Sequence, residues 1–314
     1  MTSLLYIITS AILVVTETAF LALARRMGLL SRVGVQSSHS RDVVHGGGVV
    51  FVAALLCWAA FTGWTQPLFM AGALMLAAVS FIDDFRSLGV TVRLVTQFAA
   101  VGLALAQMMP LPGLTWPLAA LLAVVAVGAV NVYNFMDGID GMTGGMTLIT
   151  LSVLIAVNAT TGFISMPLLV CMAMAAAVFC FCNFRTRALC FAGDVGSITS
   201  GFVIIYALGC LIAATGSWLW TAMLAVYGVD AVMTIGRRLI AGQNILRPHR
   251  MHLYQYLCNE RGYRHLTVSA AYAGVQLVID LGALAVAGTA AQYWYLAATV
   301  AALVVAYAVT IRKG

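Results

Sequence analysis

Eleven long apolar runs, with almost no charge inside them, limit what this 314-residue chain can fold into. They cover roughly 3–24, 47–64, 68–83, 92–109, 114–131, 143–162, 166–183, 197–214, 217–236, 267–287 and 291–311. A helix needs about 20 apolar residues to cross a hydrocarbon core about 30 Å thick. In hydrocarbon each backbone N–H and C=O must find its partner within the protein, which leaves only helices or closed barrels. The runs are continuous rather than alternating, and this excludes the barrel. Composition agrees, with 63% hydrophobic and 8% charged residues, where soluble domains carry about a quarter charged. The expected fold is an all-α polytopic membrane protein of about eleven transmembrane helices, residues 1–314 forming a single domain. The first run is too long, and carries Glu17 too deep, to be a cleaved leader.

The basic residues predict orientation. Arg25, Arg26, Arg32 and Arg41 follow the first run, Arg86 and Arg93 flank the link after the third, and Arg185 and Arg187 follow the seventh. Arg237, Arg238, Arg247, Arg250, Arg261 and Arg264 follow the ninth, and Arg312 with Lys313 ends the chain. All 16 Lys and Arg thus fall on one side. The positive-inside rule makes that side cytoplasmic, with the N-terminus periplasmic and the C-terminus cytoplasmic. The net charge of +6 reflects this asymmetry and an affinity for anionic membrane lipids, and no nucleic-acid partner is expected. The seven cysteines form no CxxC pair and read as small apolar residues. The longest inward link, Arg237 to His265, has room for a short helix or hairpin.

With only ten acidic residues, each position carries information. Glu17, Asp230 and Asp280 fall within runs, while Asp83, Asp84, Asp137, Asp140 and Asp194 fall at inward ends or in the loops beside them. A carboxylate near hydrocarbon costs on the order of 2.5–3.5 kcal/mol on insertion scales, so a cluster on one face asks for a cation. In NVYNFMDGIDGMTGG (131–145), Asp137 and Asp140 would share a face if the segment were helical. Gly138, Gly141, Gly144 and Gly145 would let a ligand approach the backbone. Hard carboxylate donors without thiolates suit Mg²⁺ or Mn²⁺, and Mg²⁺ usually arrives with a phosphate-bearing substrate. In NILRPHRMHLYQYL (244–257), His249 and His252 are spaced i, i+3 with Arg247 and Arg250 alongside, a set able to clamp a diphosphate. SSHSRDVVHGGG (37–48) adds His39, Arg41 and His45 ahead of the second run.

Five blocks in order, SSHSRDVVHGGG, DDFRSLGVTVRLVTQ (83–97), NVYNFMDGIDGMTGG, FAGDVGSITSGF (191–202) and HRMHLYQYL (249–257), resemble one family. It is that of the polyprenyl-phosphate N-acetylhexosamine-1-phosphate transferases, glycosyltransferase family 4, related to phospho-MurNAc-pentapeptide translocase. The His-Arg-x-His-Leu-Tyr-Gln pattern is most similar to the O-antigen-initiating branch. The resemblance implies transfer of a sugar-1-phosphate from a UDP-N-acetylhexosamine-type donor to undecaprenyl phosphate, with release of UMP, in a bacterial inner membrane. It implies catalytic roles for Asp83, Asp84, His249 and His252, with Asp194 holding Mg²⁺. Asn134, Asp137, Asp140, Asn183, Arg250, His39 and His45 would contact substrate, and Phe191 would stack on uracil. A homodimer is an assembly that the family often shows. NFRTRALC (183–190) departs from the family's usual proline-containing approach to the metal motif, and Gln36 with Val43, Val44 and His45 departs near the glycines.

Two other readings have their own features. A secondary transporter would use the acids inside the runs, Glu17, Asp230 and Asp280, although transporter sites usually lie near the midplane at broken helices. A structural scaffold would have no need of the histidine block.

Overall fold

A computed structural model describes residues 2–31, 43–109, 115–244 and 249–312, and the architecture is all-α. The helices are α1 (Thr2–Met27), α2 (Val49–Thr62), α3 (Pro67–Phe85), α4 (Val90–Met108), α5 (Trp116–Phe135) and α6 (Met142–Thr161). They continue with α7 (Met166–Asn183), α8 (Gly193–Thr215), α9 (Ala225–Ile240), α10 (Leu253–Asn259), α11 (His265–Val286) and α12 (Gln292–Arg312). A 3₁₀ helix, Trp218–Leu224, runs directly into α9, and β1 (Leu30–Ser31) pairs antiparallel with β2 (Val43–Val44). Proline in the first turn opens α3, α5 and α7, where its missing N–H costs nothing. Left-handed glycines close α2, α6 and α8 at Gly63, Gly162 and Gly216.

Among the described residues, ten helical segments are long and apolar enough to cross a membrane, fitting a multi-pass membrane protein. The second of the eleven expected runs differs: α2 is only 14 residues long. The cause lies at its start. Gly48 packs so tightly on Gly196 of α8 that a Cβ on Gly48 would lie 2.0 Å from the Gly196 Cα, so the chain before α2 is held inside the protein as a loop.

α8 is the central post, with 83% of its apolar window buried against 6% for α12, which lies at the periphery. The ninth run is broken, and α11 repairs it. Gln276 accepts the Val226 N–H at 3.1 Å and donates to the Ala222 carbonyl at 2.8 Å, backbone groups left over where the 3₁₀ helix becomes α9. The same amide donates to Asp280 at 2.7 Å, so this buried acid belongs to the repair. Glu17 is buried in α1 and accepts the Cys190 thiol at 3.2 Å. All seven cysteines are free thiols. The link between α9 and α11 holds the short helix α10. His39, Arg32, Arg41, Arg247, Lys313 and the expected outward turn at 110–113 lie outside the described residues.

Candidate active site

The site is built around the N-terminus of α8. The first backbone N–H groups of any helix have no partner in the helix itself, and those of α8 find Asp84, at the end of α3. The Asp194 N–H donates to Asp84 Oδ1 at 2.7 Å and the Val195 N–H to Oδ2 at 3.1 Å. His45 Nε2 lies 3.0 Å from Oδ1, and the Asp84 side chain is 1% exposed. Gly193 lets the carboxylate come this close: its φ is +68°, and a Cβ there would lie 2.6 Å from Asp84 Oδ2. Asp84 is therefore a capping anion supplied by a neighbouring helix. With both oxygens committed, it is a poor candidate for the catalytic role that the sequence suggested. Burial works to lower the His45 pKa, but the hydrogen bond and charge of Asp84, with Asp137 and Asp194 beyond it, raise it overall.

Adjacent Asp83 faces another way. It accepts the Leu88 N–H and pairs with Arg93 of α4 at 3.2 Å, and the same guanidinium nitrogen lies 3.7 Å from Asp194 Oδ2. One arginine thus holds two carboxylates from two helices together. Among the described residues no three His, Cys, Asp or Glu side chains form a ready-made metal cage. Mg²⁺ needs none: it keeps waters and takes one or two carboxylates, with phosphate oxygens completing the shell. The partly exposed Asp194 and neighbouring Asp83 are hard oxygen donors of that kind, so the residues fit the ion.

The 137–141 segment is a loop between α5 and α6, so the helical spacing expected of Asp137 and Asp140 does not apply. Asp140 pairs instead with His265, at the start of α11, at 3.4 Å. Asp137 lies within electrostatic reach of His45, Asp84 and Asp140, and burial foremost pushes its pKa up to about 6. The glycines serve packing rather than ligand approach. Tyr254 fills the space at Gly138, Phe184 that at Gly141 and Gly145, and Cys180 with Phe179 that at Gly144. Asn183 also differs from expectation: its Oδ1 accepts the Gly141 N–H at 2.8 Å and its Nδ2 donates to the Cys190 carbonyl at 2.9 Å. Buried, with its oxygen and nitrogen each bonded to backbone, it braces the 137–141 loop against the segment leading into α8 and is not placed to hold substrate. Asn134 accepts the Ser197 hydroxyl at 2.6 Å, tying α5 to α8. Phe191 is half-buried, and its backbone bonds to Val44 and Gly47 bring the 43–48 loop onto this segment.

His249 and His252 precede α10 rather than sharing a helical face, yet their rings lie 4.9 Å apart. Burial, then the charges of His252 and Arg238, lowers the His249 pKa to about 4, so at neutral pH it is uncharged rather than the cation of a diphosphate clamp. Among the described residues of that segment, half-buried Arg250 is the cation. The Tyr254 hydroxyl donates to the Phe135 carbonyl at 3.0 Å and fixes α10 beside the 137–141 loop. An apolar cavity of about 360 Å³ lies elsewhere, between α4, α5, α8 and the 3₁₀ helix, lined by Val101, Leu105, Met108, Val125 and Tyr206 among others. The Gln97–Asn131 amide pair joins α4 and α5 at the level between this cavity and Arg93.

Residues 66–212 match the family model of glycosyl transferase family 4. The match spans just under half of the chain and is a likeness to a family of glycosyl transferases. No match was found among curated proteins. The family 4 segment contains Asp83, Asp84, Arg93, Asn134, Asp137, Asp140, Asn183 and Asp194. His45, Asp230, His249, Arg250, His252 and His265 lie outside it, and the fold brings His45 and His265 onto its carboxylates.

Sequence reasoning missed Arg93 as the bridge, and a signal was there: a lone arginine in the first turn of an apolar helix, ten residues after Asp83. It missed His265 as well. With five histidines in the chain, one at the start of a span merited the same weight as the others.

Proposed function

We propose that the chain transfers an N-acetylated sugar-1-phosphate from a UDP-sugar to undecaprenyl phosphate, releasing UMP, and so initiates an O-antigen or other cell-surface polysaccharide in a bacterial inner membrane. The observation that carries this reading is the placement of Asp83 and Asp194, from two helices of the family 4 segment, on one guanidinium beside the start of α8. Such chemistry needs in-line placement and charge neutralisation more than covalent participation. A phosphate oxygen of the lipid forms a bond to the sugar-bearing phosphorus, the bond from that phosphorus to the bridging oxygen breaks, and UMP leaves with the electron pair.

Asp83 and Asp194 would hold Mg²⁺ (or Mn²⁺), which when bound offsets negative charge on the diphosphate. Asp83 is placed to orient the lipid phosphate, and Arg93 to meet phosphoryl oxygens as they gain charge. A phosphomonoester has a second pKa of about 6, so the acceptor is largely dianionic at pH 7 and gains little from a general base. Direct attack follows, and UMP exchange without lipid acceptor would count against it. The apolar cavity suits a stretch of prenyl chain, since it is formed by the same α4, α5 and α8 that carry the site. The site would lie at the cytoplasmic face, a reading that the one-sided arginines support. Glu17 and Asp280 each have one oxygen bonded, to Cys190 and Gln276, and among the described residues their second oxygens are buried without a hydrogen bond.

The test is purified protein in detergent with undecaprenyl phosphate, Mg²⁺ and a panel of UDP-sugars, scoring UMP and UDP separately. UMP that requires both lipid and metal is the expected product. UDP would mean ordinary glycosyl transfer, and neither product from any donor would overturn the proposal.

A further inference from the structure

The 137–141 loop is held through backbone groups, within it or beside its ends, by four other helices. Tyr254 of α10 donates to the Phe135 carbonyl at 3.0 Å, Asn183 of α7 accepts the Gly141 N–H at 2.8 Å, and Tyr227 of α9 donates to the Met142 carbonyl at 3.1 Å. Ser269 of α11 donates to the Asp140 carbonyl at 2.8 Å. These bonds fix where the chain runs, and they leave the direction of the Asp140 carboxylate open.

His265, the first residue of α11, supplies that direction. Its Nδ1 lies 3.4 Å from Asp140 Oδ2. His265 and Ser269 are spaced i, i+4, so one face of α11 takes both the side chain and the main chain of Asp140. A carboxylate only accepts, so the Nδ1 that faces it carries a proton. Contacts of this kind tighten when substrate closes a site. The two side chains are 23% and 13% exposed, so a ligand can reach the acid. Among the described residues, Oδ1 of Asp140 accepts no hydrogen bond, and the carboxylate is thus gripped at one oxygen while it offers the other. An acid that is already oriented loses less freedom when a ligand binds, and this raises affinity without any new contact. α11 begins well beyond residue 212, where the family 4 segment ends, and no role for His265 follows from the family resemblance.

We propose that His265 is a positioning residue for nucleotide binding: its imidazole holds Asp140 by Oδ2, so that Oδ1 accepts an N–H or O–H of the nucleotide carried by the donor. That Asp140 faces a nucleotide rests on the function proposed above.

Calorimetric titration of UDP into purified protein with Mg²⁺, in wild type and three variants, tests the assignment. His265→Asn carries an N–H₂ close to where Nδ1 stood and should keep the UDP Kd within about twofold of wild type. His265→Gln sets its amide nearer the position of Nε2, and His265→Leu has no donor. Both should raise the Kd about tenfold, the size of one lost hydrogen bond to a charged group. All three should melt within a few degrees of wild type, because the Ser269 bond to the loop remains. A Kd equal in Asn and Gln, whether both keep affinity or both lose it, overturns the proposal; if the Leu variant does not accumulate, that comparison still decides. Wild-type protein that binds no UDP would sink the nucleotide reading and the proposal together, an outcome distinct from UDP binding that is indifferent to His265.

Discussion

Replacing Asp84 by Asn separates a capping role from a chemical one. Asp84 accepts two backbone N–H bonds at the start of α8 and faces His45, with its side chain 1% exposed. Hydrogen bonds to a charged group are worth about 1.5–3 kcal/mol each. A carboxylate at a partly buried helix N-terminus adds up to about 2 kcal/mol. Asn keeps one acceptor oxygen and turns an N–H₂ toward the second N–H, so one bond and most of the charge effect are lost. The sum is about 2–5 kcal/mol, which lowers the melting temperature by about 5–15 °C in a protein of this size. The assay is thermal melting in detergent, followed by loss of the monodisperse peak, beside Asp83→Asn. The Asp83 variant should melt within a few degrees of wild type, because Arg93 is partly exposed and keeps Asp194 as a partner. An Asp84→Asn protein that melts like wild type but is inactive would refute the capping assignment and return Asp84 to the chemistry.

Gly48→Ala should prevent stable folding, because the new Cβ meets the Gly196 backbone at 2.0 Å with no flexible side chain to yield; yield and monodispersity after membrane extraction check this. Asp194→Asn should insert normally yet keep less than a tenth of the Mg²⁺-dependent UMP release, and greater retention would remove Asp194 from the metal site. Asp137 has its pKa raised to about 6 from the ordinary value near 4. The unfolded chain therefore loses this proton first as pH rises, and the stability the group gives below pH 4 is lost by the time pH passes 6. Without ligands, Asp137→Asn should melt above wild type at pH 8, with the gap closing toward pH 4, as melting curves across that range would show.

Much of the fold was legible because hydrocarbon admits few solutions, and apolar runs about 20 residues long have little choice but to be helices. Two departures were not legible, and both are tertiary. α2 is short because Gly48 lies on Gly196, almost 150 residues away, and the ninth run breaks where Gln276 of α11 is present to accept Val226 and bond Ala222. The acids of the candidate site could be picked out because charge is scarce in this chain. Their division of labour could not, since Asp83 and Asp84 are neighbours in sequence and differ only in what the fold puts opposite each: Arg93 for one, the end of α8 for the other. Spacing also misled at 137–140 and 249–252, where i, i+3 presumes a helix that the chain does not form. The departure at NFRTRALC becomes intelligible in the same terms. Asn183 and Cys190 bracket it with a direct side-chain bond, and the Leu189 N–H returns to the Cys182 carbonyl at 2.9 Å, so the segment is closed on itself without proline.

The electrostatics of the finished site bear on how an anionic donor enters. Five carboxylates meet here, and the protein answers three of them locally: Asp84 by the start of α8 and His45, Asp83 by Arg93, and Asp140 by His265. Asp194 shares with Asp83 the same guanidinium nitrogen of Arg93, at 3.7 Å, and burial raises the Asp137 pKa to about 6. His249 adds no charge at neutral pH. The nucleotide diphosphate of the proposed donor, approaching Asp194 and Asp137, would meet carboxylates that repel it whenever they are ionised. Beyond Arg93 and Arg250, the proposed divalent cation would bring further positive charge with the substrate. On the proposed function, donor affinity and divalent-cation affinity should then be coupled, each tightening the other by the same factor. Titrating UDP at several Mg²⁺ concentrations measures that factor, and a UDP affinity indifferent to the metal would mean that Asp137 and Asp194 do not face the diphosphate.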